Sequence, residues 1–358
     1  MNSKNKQAFS KPFNLVFTKR YPDLYIGPGM YTDFENAQKA DPNNWIKENN
    51  RMIDINRNKQ FFTLKKYNAH DANKQKRYIE DIQHITQTTK VTEIEFETTN
   101  SRTLVSEKIS GVKNIAYDIN KFKIINNLKI PKVIDKTIND TDLKANEAIL
   151  NLHKKLDDVY KIEQLLSTGQ LGVKKDRIFV PTKWAITSVD DSISKELVYK
   201  LLDNKRIDKY ELYTFEFYKN KFYIICFPQA WGFEMIESTD DFANIDYEIN
   251  NPRKTYASNV TGAYYAARLE VAKHLNNIKK QARVVIFRDI SKGYISKGVW
   301  VIRESIKQAL TKKPLTFDNL KETEEYLNKI NIRGTTNFWI NKSNLLKDIK
   351  FQKRLFDF

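Results

Sequence analysis

Cysteine is almost absent: Cys226 is the one thiol in 358 residues. A single thiol excludes an internal disulfide and any zinc site built from several thiolates. It falls within Phe222-Tyr-Ile-Ile-Cys-Phe227, where a small buried hydrophobe is the expectation. Glycine and proline are also sparse, at 10 and 9. No Gly-x-Gly-x-x-Gly follows a strand-like run and no Gly-Lys-Ser/Thr closes a glycine-rich loop, so dinucleotide and P-loop phosphate sites have no support. The four histidines, His70, His84, His153 and His274, are scattered without metal-binding spacing and without a nucleophile placed beside them. No stretch approaches the ~18 consecutive apolar residues of a membrane span, and the basic start Met1-Asn-Ser-Lys-Asn-Lys-Gln7 lacks a signal peptide's apolar segment. These absences predict a cytoplasmic, nucleoid-associated protein with no membrane partner.

Positive charge is what the chain has in excess. Lys and Arg number 61 against 44 Asp and Glu, a net charge of +17. The surplus is uneven, for the stretch 271–358 holds 19 basic and 8 acidic residues, which accounts for 11 of it. Such a distribution points to a polyanion, DNA, as partner. The Lys, Asn and Ile richness of an A·T-biased gene is the competing reading of the same composition. A hydrophobic content of 41% and an aromatic content of 12% exclude a disordered chain, and the length allows two domains or one large one.

Periodicity predicts a mixed α/β fold: a central mixed sheet flanked by helices, with an irregular N-terminal portion over 1–88, a main body over 89–345 and a flexible C-terminal tail over 346–358. Short strands are expected at Phe13–Phe17 and Leu24–Ile26, a helix near Trp45 behind Asp41-Pro42, and a helical segment over Tyr78–His84. Ile94 and Phe96 alternate with acids as in a half-buried strand. Ala145, Ala148, Ile149, Leu152 and Leu156 form a helical stripe, with Asn139-Asp-Thr-Asp142 offering N-caps. A further helical turn set over Ile162–Leu166 ends at Gly169 as a C′ residue. Tyr213, Phe215 and Phe217 alternate with polar residues, and Lys219-Asn-Lys221 separates them from Phe222–Phe227, a hairpin pattern. Tyr264, Ala267, Val271, Leu275 and Ile278 share one buried helical face behind Thr261-Gly262, Val284–Phe287 reads as a buried strand, and Gly298–Ile302 reads as a strand running into a helix over Glu304–Leu310.

The chemistry concentrates in Arg177–Ser194. Arg177, Lys183 and Thr187 can hold phosphate, and the Trp184 indole offers a face on which a base stacks. Plain core is the alternative for Trp184, since apolar Ile186 and Val189 follow it. Tyr264 and Tyr265 with Arg268, and Arg288 with Arg303, extend this nucleic-acid-binding set. An internal ion pair of Arg268 with Glu270 is the alternative there. Asp190, Asp191 and Glu304 are the candidate catalytic carboxylates. One of the pair, with Glu234 or Glu304, would hold a divalent metal for a phosphodiester reaction. A helix N-cap before Ser192 is the alternative role for Asp190 or Asp191.

The chain ends in Phe351-Gln-Lys-Arg-Leu-Phe-Asp-Phe358. Gln352, Leu355 and Phe356 have the Gln-x-x-Leu-Phe pattern of bacterial sliding-clamp peptides, and Gln352, Leu355 and Phe358 fit the archaeal and eukaryotic version. In both, a glutamine fixes a turn while aliphatic and aromatic anchors fill a pocket of the clamp. Docking of the tail on its own core is the alternative.

Eight segments together resemble the archaeal Nre family of DNA-repair proteins. They are Phe17-Thr-Lys-Arg-Tyr21, Ile26-Gly-Pro28, Asn139–Ala145, Leu165–Gly172, Val180-Pro-Thr-Lys-Trp-Ala-Ile-Thr187, Phe233–Glu237, Gly262-Ala-Tyr-Tyr-Ala-Ala-Arg-Leu269 and Gly298–Glu304. The resemblance is collinear and covers nearly the whole chain. It implies a role in repair of DNA damage and recruitment to the sliding clamp through the C-terminal peptide. It departs in three places: the family's cysteine-rich, zinc-finger-like segment has no counterpart, so no zinc finger is expected; Lys183 stands where arginine is expected; and Ala185 stands where serine is expected. The expectation is a clamp-recruited, DNA-binding repair factor. The alternatives are a carboxylate- or metal-dependent DNA hydrolase or glycosylase-like enzyme, and a phage protein redirecting host replication or defence.

Overall fold

The computed structural model describes residues 5–10, 12–30, 65–74, 76–88, 93–105, 113–125, 127–217, 219–239, 242–294, 298–330 and 342–351. The chain divides into two compact units, residues 1–40 with 44–193, and residues 41–43 with 194–358.

In the first unit, β1 (Asn5–Ser10), β2 (Pro12–Arg20), β3 (Asp23–Met30) and β4 (Lys65–Asn68) precede α1 (Arg77–Gln87). They are followed by β5 (Glu93–Val105), β6 (Lys113–Ile124), α2 (Lys132–Asn139), α3 (Ala145–Leu156) and α4 (Val159–Ser167). α5 (Thr182–Leu201) begins in this unit. Two antiparallel three-stranded sheets form, in the orders β1-β5-β6 and β2-β3-β4. Val16, Leu24 and Ile26 of the second sheet pack with Ile79, Ile82 and Ile85 of α1 and with Phe179. The isoleucines recur every three residues, so one helical face is apolar and buries against the sheet.

Gly169 ends α4 as the sequence predicts. It has φ +69°, Gln170 N–H bonds Leu165 O at 3.0 Å and Gly169 N–H bonds Leu166 O at 3.0 Å, the paired bonds of a Schellman C-cap. A Cβ there would lie 2.6 Å from Ala72 Cβ, so the close approach also requires glycine.

The second unit continues with β7 (Lys205–Arg206), β8 (Tyr210–Phe217), β9 (Asn220–Phe227), β10 (Gly232–Ser238), β11 (Ala243–Ile249), α6 (Gly262–Asn277), β12 (Lys280–Gln281) and β13 (Arg283–Ile290). After these come α7 (Trp300–Leu310), β14 (Leu315–Phe317), α8 (Leu320–Lys329) and α9 (Asn344–Phe351). The main sheet has six strands in the order β11-β10-β13-β9-β8-β14. It is mixed, because β10 and β13 are parallel while the other neighbours are antiparallel. β9 lies inside the sheet and is buried on both faces, which explains its unbroken apolar run and the burial of Cys226. Leu212, Tyr223, Ile225, Phe227, Val285 and Phe287 meet Leu327 of α8 and Leu345 and Leu346 of α9. The alternate residues of β8 and β9 face the other way, toward α7, and Tyr213 among them meets His274 of α6. The α/β expectation, a mixed sheet flanked by helices, is the observed architecture.

Four local expectations are corrected. Ile278 is the C-cap of α6 and 43% exposed, not part of its buried face, because the helix ends at Asn277. Gly298–Ile302 is not a strand, since α7 starts at Trp300 and buries Val301, Ile302, Ile306 and Ala309 on one helical face. Five apolar residues in a row have no period of their own, so the run could not distinguish the two. Neither Asp190 nor Asp191 caps a helix at Ser192, for α5 begins ten residues earlier at Thr182 and both lie in its interior. Lys144, not a residue of 139–142, is the N-cap of α3; the Asp140 carboxylate instead accepts from Asp142 N at 3.2 Å and Leu143 N at 3.1 Å in the preceding turn. The helix expected near Trp45 and the tail residues Gln352, Leu355, Phe356 and Phe358 lie outside the described residues.

Candidate nucleic-acid interface

In the first unit, the segment leading into α5 is fastened on several sides. Phe179 N–H bonds Ala69 O at 2.8 Å and Val180 N–H bonds Ser167 O at 3.0 Å. The Ser167 hydroxyl returns a bond to Val180 O at 2.8 Å. Thr182 Oγ1 accepts from Val16 N at 3.0 Å and lies 3.3 Å from Ser167 Oγ. Pro181 O then receives Trp184 N–H at 2.8 Å and Ala185 N–H at 3.0 Å, which starts the helix. The first turn of α5 is thereby tied to β2 and to the end of α4.

Trp184 stands on that turn with 48% of its surface exposed. It touches Tyr21, itself 42% exposed, with ring centroids 5.3 Å apart and planes tilted by 41°. Tyr21 sits in the β2–β3 turn, which is secured by Ala69 N–H on Pro22 O at 2.9 Å and by the Thr18 hydroxyl on Asp23 O at 2.7 Å. Core packing is therefore not the role of Trp184. Lys183 and Arg20 are exposed next to the two rings in sequence and, among the described residues, make no ion pair. Thr187 is half-buried one turn on, its hydroxyl donating to Lys183 O at 3.2 Å.

Arg177 is placed otherwise. It is buried, with Nε on Gly172 O at 2.8 Å and Nη2 on Ile138 O and Asp140 O, each at 3.0 Å. Burial lowers its pKa and Asp140 opposes that shift. The guanidinium thus closes the carbonyl ends of α2 and the turn after it. Asp190 is fully buried and Asp191 half-buried. Successive helical residues diverge by about 100°, so the two carboxylates face different surroundings.

In the second unit, Tyr264, Tyr265, Arg268, Arg288, Arg303 and Glu304 are all buried. Arg268 pairs with Glu248 at 2.7 Å rather than with Glu270, and its Nε donates to Ser194 Oγ at 3.1 Å. Glu248 also accepts from Trp231 Nε1 at 3.1 Å and from Arg253 N at 2.9 Å. The Arg268 guanidinium lies 5.6 Å from the Tyr264 ring centre and 5.3 Å from that of Tyr265. Arg288 bonds Glu237 and Asn220 and lies over the Phe222 and Tyr294 rings. Glu234 accepts from the backbone of Asn344 and Leu345 and from the Ser343 hydroxyl at the start of α9. Burial raises its pKa, and those donors oppose the rise. Among the described residues, no group of three or more His, Cys, Asp or Glu side chains is placed to hold a metal ion. No helix among them is long and apolar enough to cross a membrane.

Sequence reasoning missed Tyr21 as the neighbour of Trp184, and Glu248 as the partner of Arg268. Tyr21 did carry a signal, since it stands between exposed Arg20 and the turn-forming Pro22.

The molecule is thus an α/β protein with an exposed aromatic pair on a braced strand–helix frame. It belongs to the archaeal Nre family, whose N-terminal model matches residues 1–241 and whose C-terminal model matches residues 248–358. It is similar to the DNA repair protein NreA of Archaeoglobus fulgidus, 28% identical over 324 residues that cover 87% of this chain and 82% of that protein. The DNA repair protein NreB of the same organism is 36% identical over 239 residues, covering 64% of this chain and 60% of that one. The DNA repair protein NreA of Haloferax volcanii is 36% identical over 218 residues, covering 56% and 52%. This chain therefore spans less than two thirds of the latter two relatives. No solved structure matches it.

Proposed function

We propose that this protein is a DNA-repair factor of the cytoplasm and nucleoid, binding DNA through an exposed basic surface and carried to its substrate by the replication sliding clamp. The observation that carries the repair role is the collinear similarity of the chain to DNA repair proteins in both its N-terminal and C-terminal parts. Support for DNA contact comes from the net charge of +17 and from Lys183 and Trp184, which stand exposed on the braced start of α5. Support for clamp recruitment comes from Gln352, Leu355, Phe356 and Phe358, whose spacing suits a turn with two apolar anchors.

The helix before that peptide is well anchored. Leu345 and Leu346 are core residues, Asp348 pairs with Arg283, and Glu234 holds the first turn. A peptide following such an anchor can engage a partner without unfolding the unit it leaves. Deleting residues 352–358 abolishes clamp pull-down and leaves the melting transition unchanged; a retained pull-down overturns the clamp reading. Affinity for DNA falls steeply between ~50 and ~200 mM salt if several Lys and Arg contact phosphates. A flat response overturns binding by the basic surface.

A further inference from the structure

We infer that Tyr21 and Trp184 form a stacking platform for an unpaired base of a DNA strand, with Arg20 and Lys183 holding the phosphates beside it. The inference rests on the DNA-binding reading above and narrows it to one strand state.

Two large rings in mutual contact are left 42% and 48% exposed. Leaving apolar ring surface in water is unfavourable, so a contiguous exposed pair marks a surface that another molecule covers. The frame is hydrogen-bonded where the rings attach. Thr182 ties the helix turn to Val16 of β2, and Ala69 ties the strand turn at Pro22 O. A braced pair loses little conformational entropy when a ligand covers it.

The chemistry of the surroundings selects the ligand. Each ring is followed or preceded by a cation, Arg20 before Tyr21 and Lys183 before Trp184, and both cations are exposed. Asp23, the carboxylate of the same turn, is neutralised by Lys66 at 2.7 Å. An apolar ring surface bordered by two cations that make no ion pair among the described residues fits a base with its flanking phosphates better than it fits an apolar protein surface. A paired duplex presents base edges and keeps its π-faces covered by stacking, so flat rings gain little from it. An unpaired base, in a single strand, a gap or a bulge, offers the face that these rings can cover.

The test measures anisotropy of a labelled oligothymidine, a fully paired duplex and the same duplex with one bulged base, for the full chain and its variants. Oligothymidine and bulged duplex are expected to bind more tightly than the paired duplex. Trp184→Ala and Tyr21→Ala each weaken those two about tenfold and leave the paired duplex unchanged. Trp184→Phe restores most of the loss, since the ring and not the indole N–H is required. Lys183→Gln, which keeps both rings, lowers the salt dependence for all ligands.

Equal affinity for all three DNAs, or Trp184→Ala acting on none or on all alike, overturns the platform while paired-duplex binding upholds the DNA reading. Displacement of oligothymidine by oligouridine at lower concentration than by itself overturns the assignment to DNA. Failure of the folded wild type to bind any DNA at low salt removes both readings together.

Discussion

Glu234, inside a sheet strand, caps the helix that ends the described chain: its Oε1 accepts from Asn344 N at 2.8 Å and from Asn344 Nδ2 at 3.1 Å. The other oxygen takes Leu345 N at 3.3 Å and the Ser343 hydroxyl. Removing the carboxylate leaves buried donors without acceptors and detaches Leu345 and Leu346 from the core. Glu234→Ala is expected to cost about 2–4 kcal/mol in chemical denaturation. It should also open the chain around residue 343 to limited proteolysis, a cut that the wild type resists.

Arg268 and Glu248 are both essentially without exposure. A charge left alone in such a place is far costlier than the pair is helpful. Arg268→Met should therefore lose about 3–5 kcal/mol, and the double variant Arg268→Met with Glu248→Gln should recover part of it. A double-mutant cycle in urea reads the coupling; additive losses would show that the two residues act independently.

His274 supplies a pH dependence. Burial lowers its pKa, and its Nε2 lies 3.3 Å from the Tyr213 hydroxyl, which donates to Glu211 at 2.9 Å. Because the folded pKa is below the unfolded value of about 6.5, the unfolded chain takes up the proton first. The favourable contribution is complete above about pH 6.5 and is lost as pH falls toward the folded pKa. Glu211 has the opposite sign: burial raises its pKa, so between its unfolded and folded values the folded chain holds the extra proton and acidification is stabilising. Urea unfolding between pH 7 and about pH 5 should show falling stability that His274→Gln flattens.

Arg177 and Lys183 should separate stability from DNA affinity. Arg177→Ala removes bonds to the buried carbonyl of Gly172 and the part-buried carbonyls of Ile138 and Asp140 and is expected to cost about 2–3 kcal/mol, with the salt slope of DNA binding unchanged. Lys183→Gln should leave the melting transition alone and reduce that slope by about one. Melting curves and salt titrations of both variants check the contrast, and a changed slope in Arg177→Ala would place its guanidinium at DNA.

Elements specified by local chemistry were legible in the sequence. The β8–β9 hairpin follows from period-two alternation around Lys219-Asn220, α3 from its stripe of alanines, isoleucine and leucines, and the end of α4 from Gly169. α5 was obscured because Asp190 and Ser194 share its buried side with Ala185, Val189 and Ile193. Two polar residues on an apolar face erase the period that would announce the helix. The start of α7 was obscured by the reverse cause, a run with no polar residue to set a phase.

Composition, spacing and the resemblance of short segments determined by themselves that this is a basic α/β protein of the Nre type. They could not determine which arginines meet solvent. Arg268 and Arg20 are alike as residues, yet one is sealed against Glu248 and the other is exposed at a turn. The difference depends on which carboxylate or carbonyl the tertiary structure brings within hydrogen-bonding distance, as with Glu234 and Ser343, 109 residues apart. It likewise depends on folding that Tyr21 and Trp184 touch, because two rings on separate elements become one surface only when β2 and α5 are bonded together.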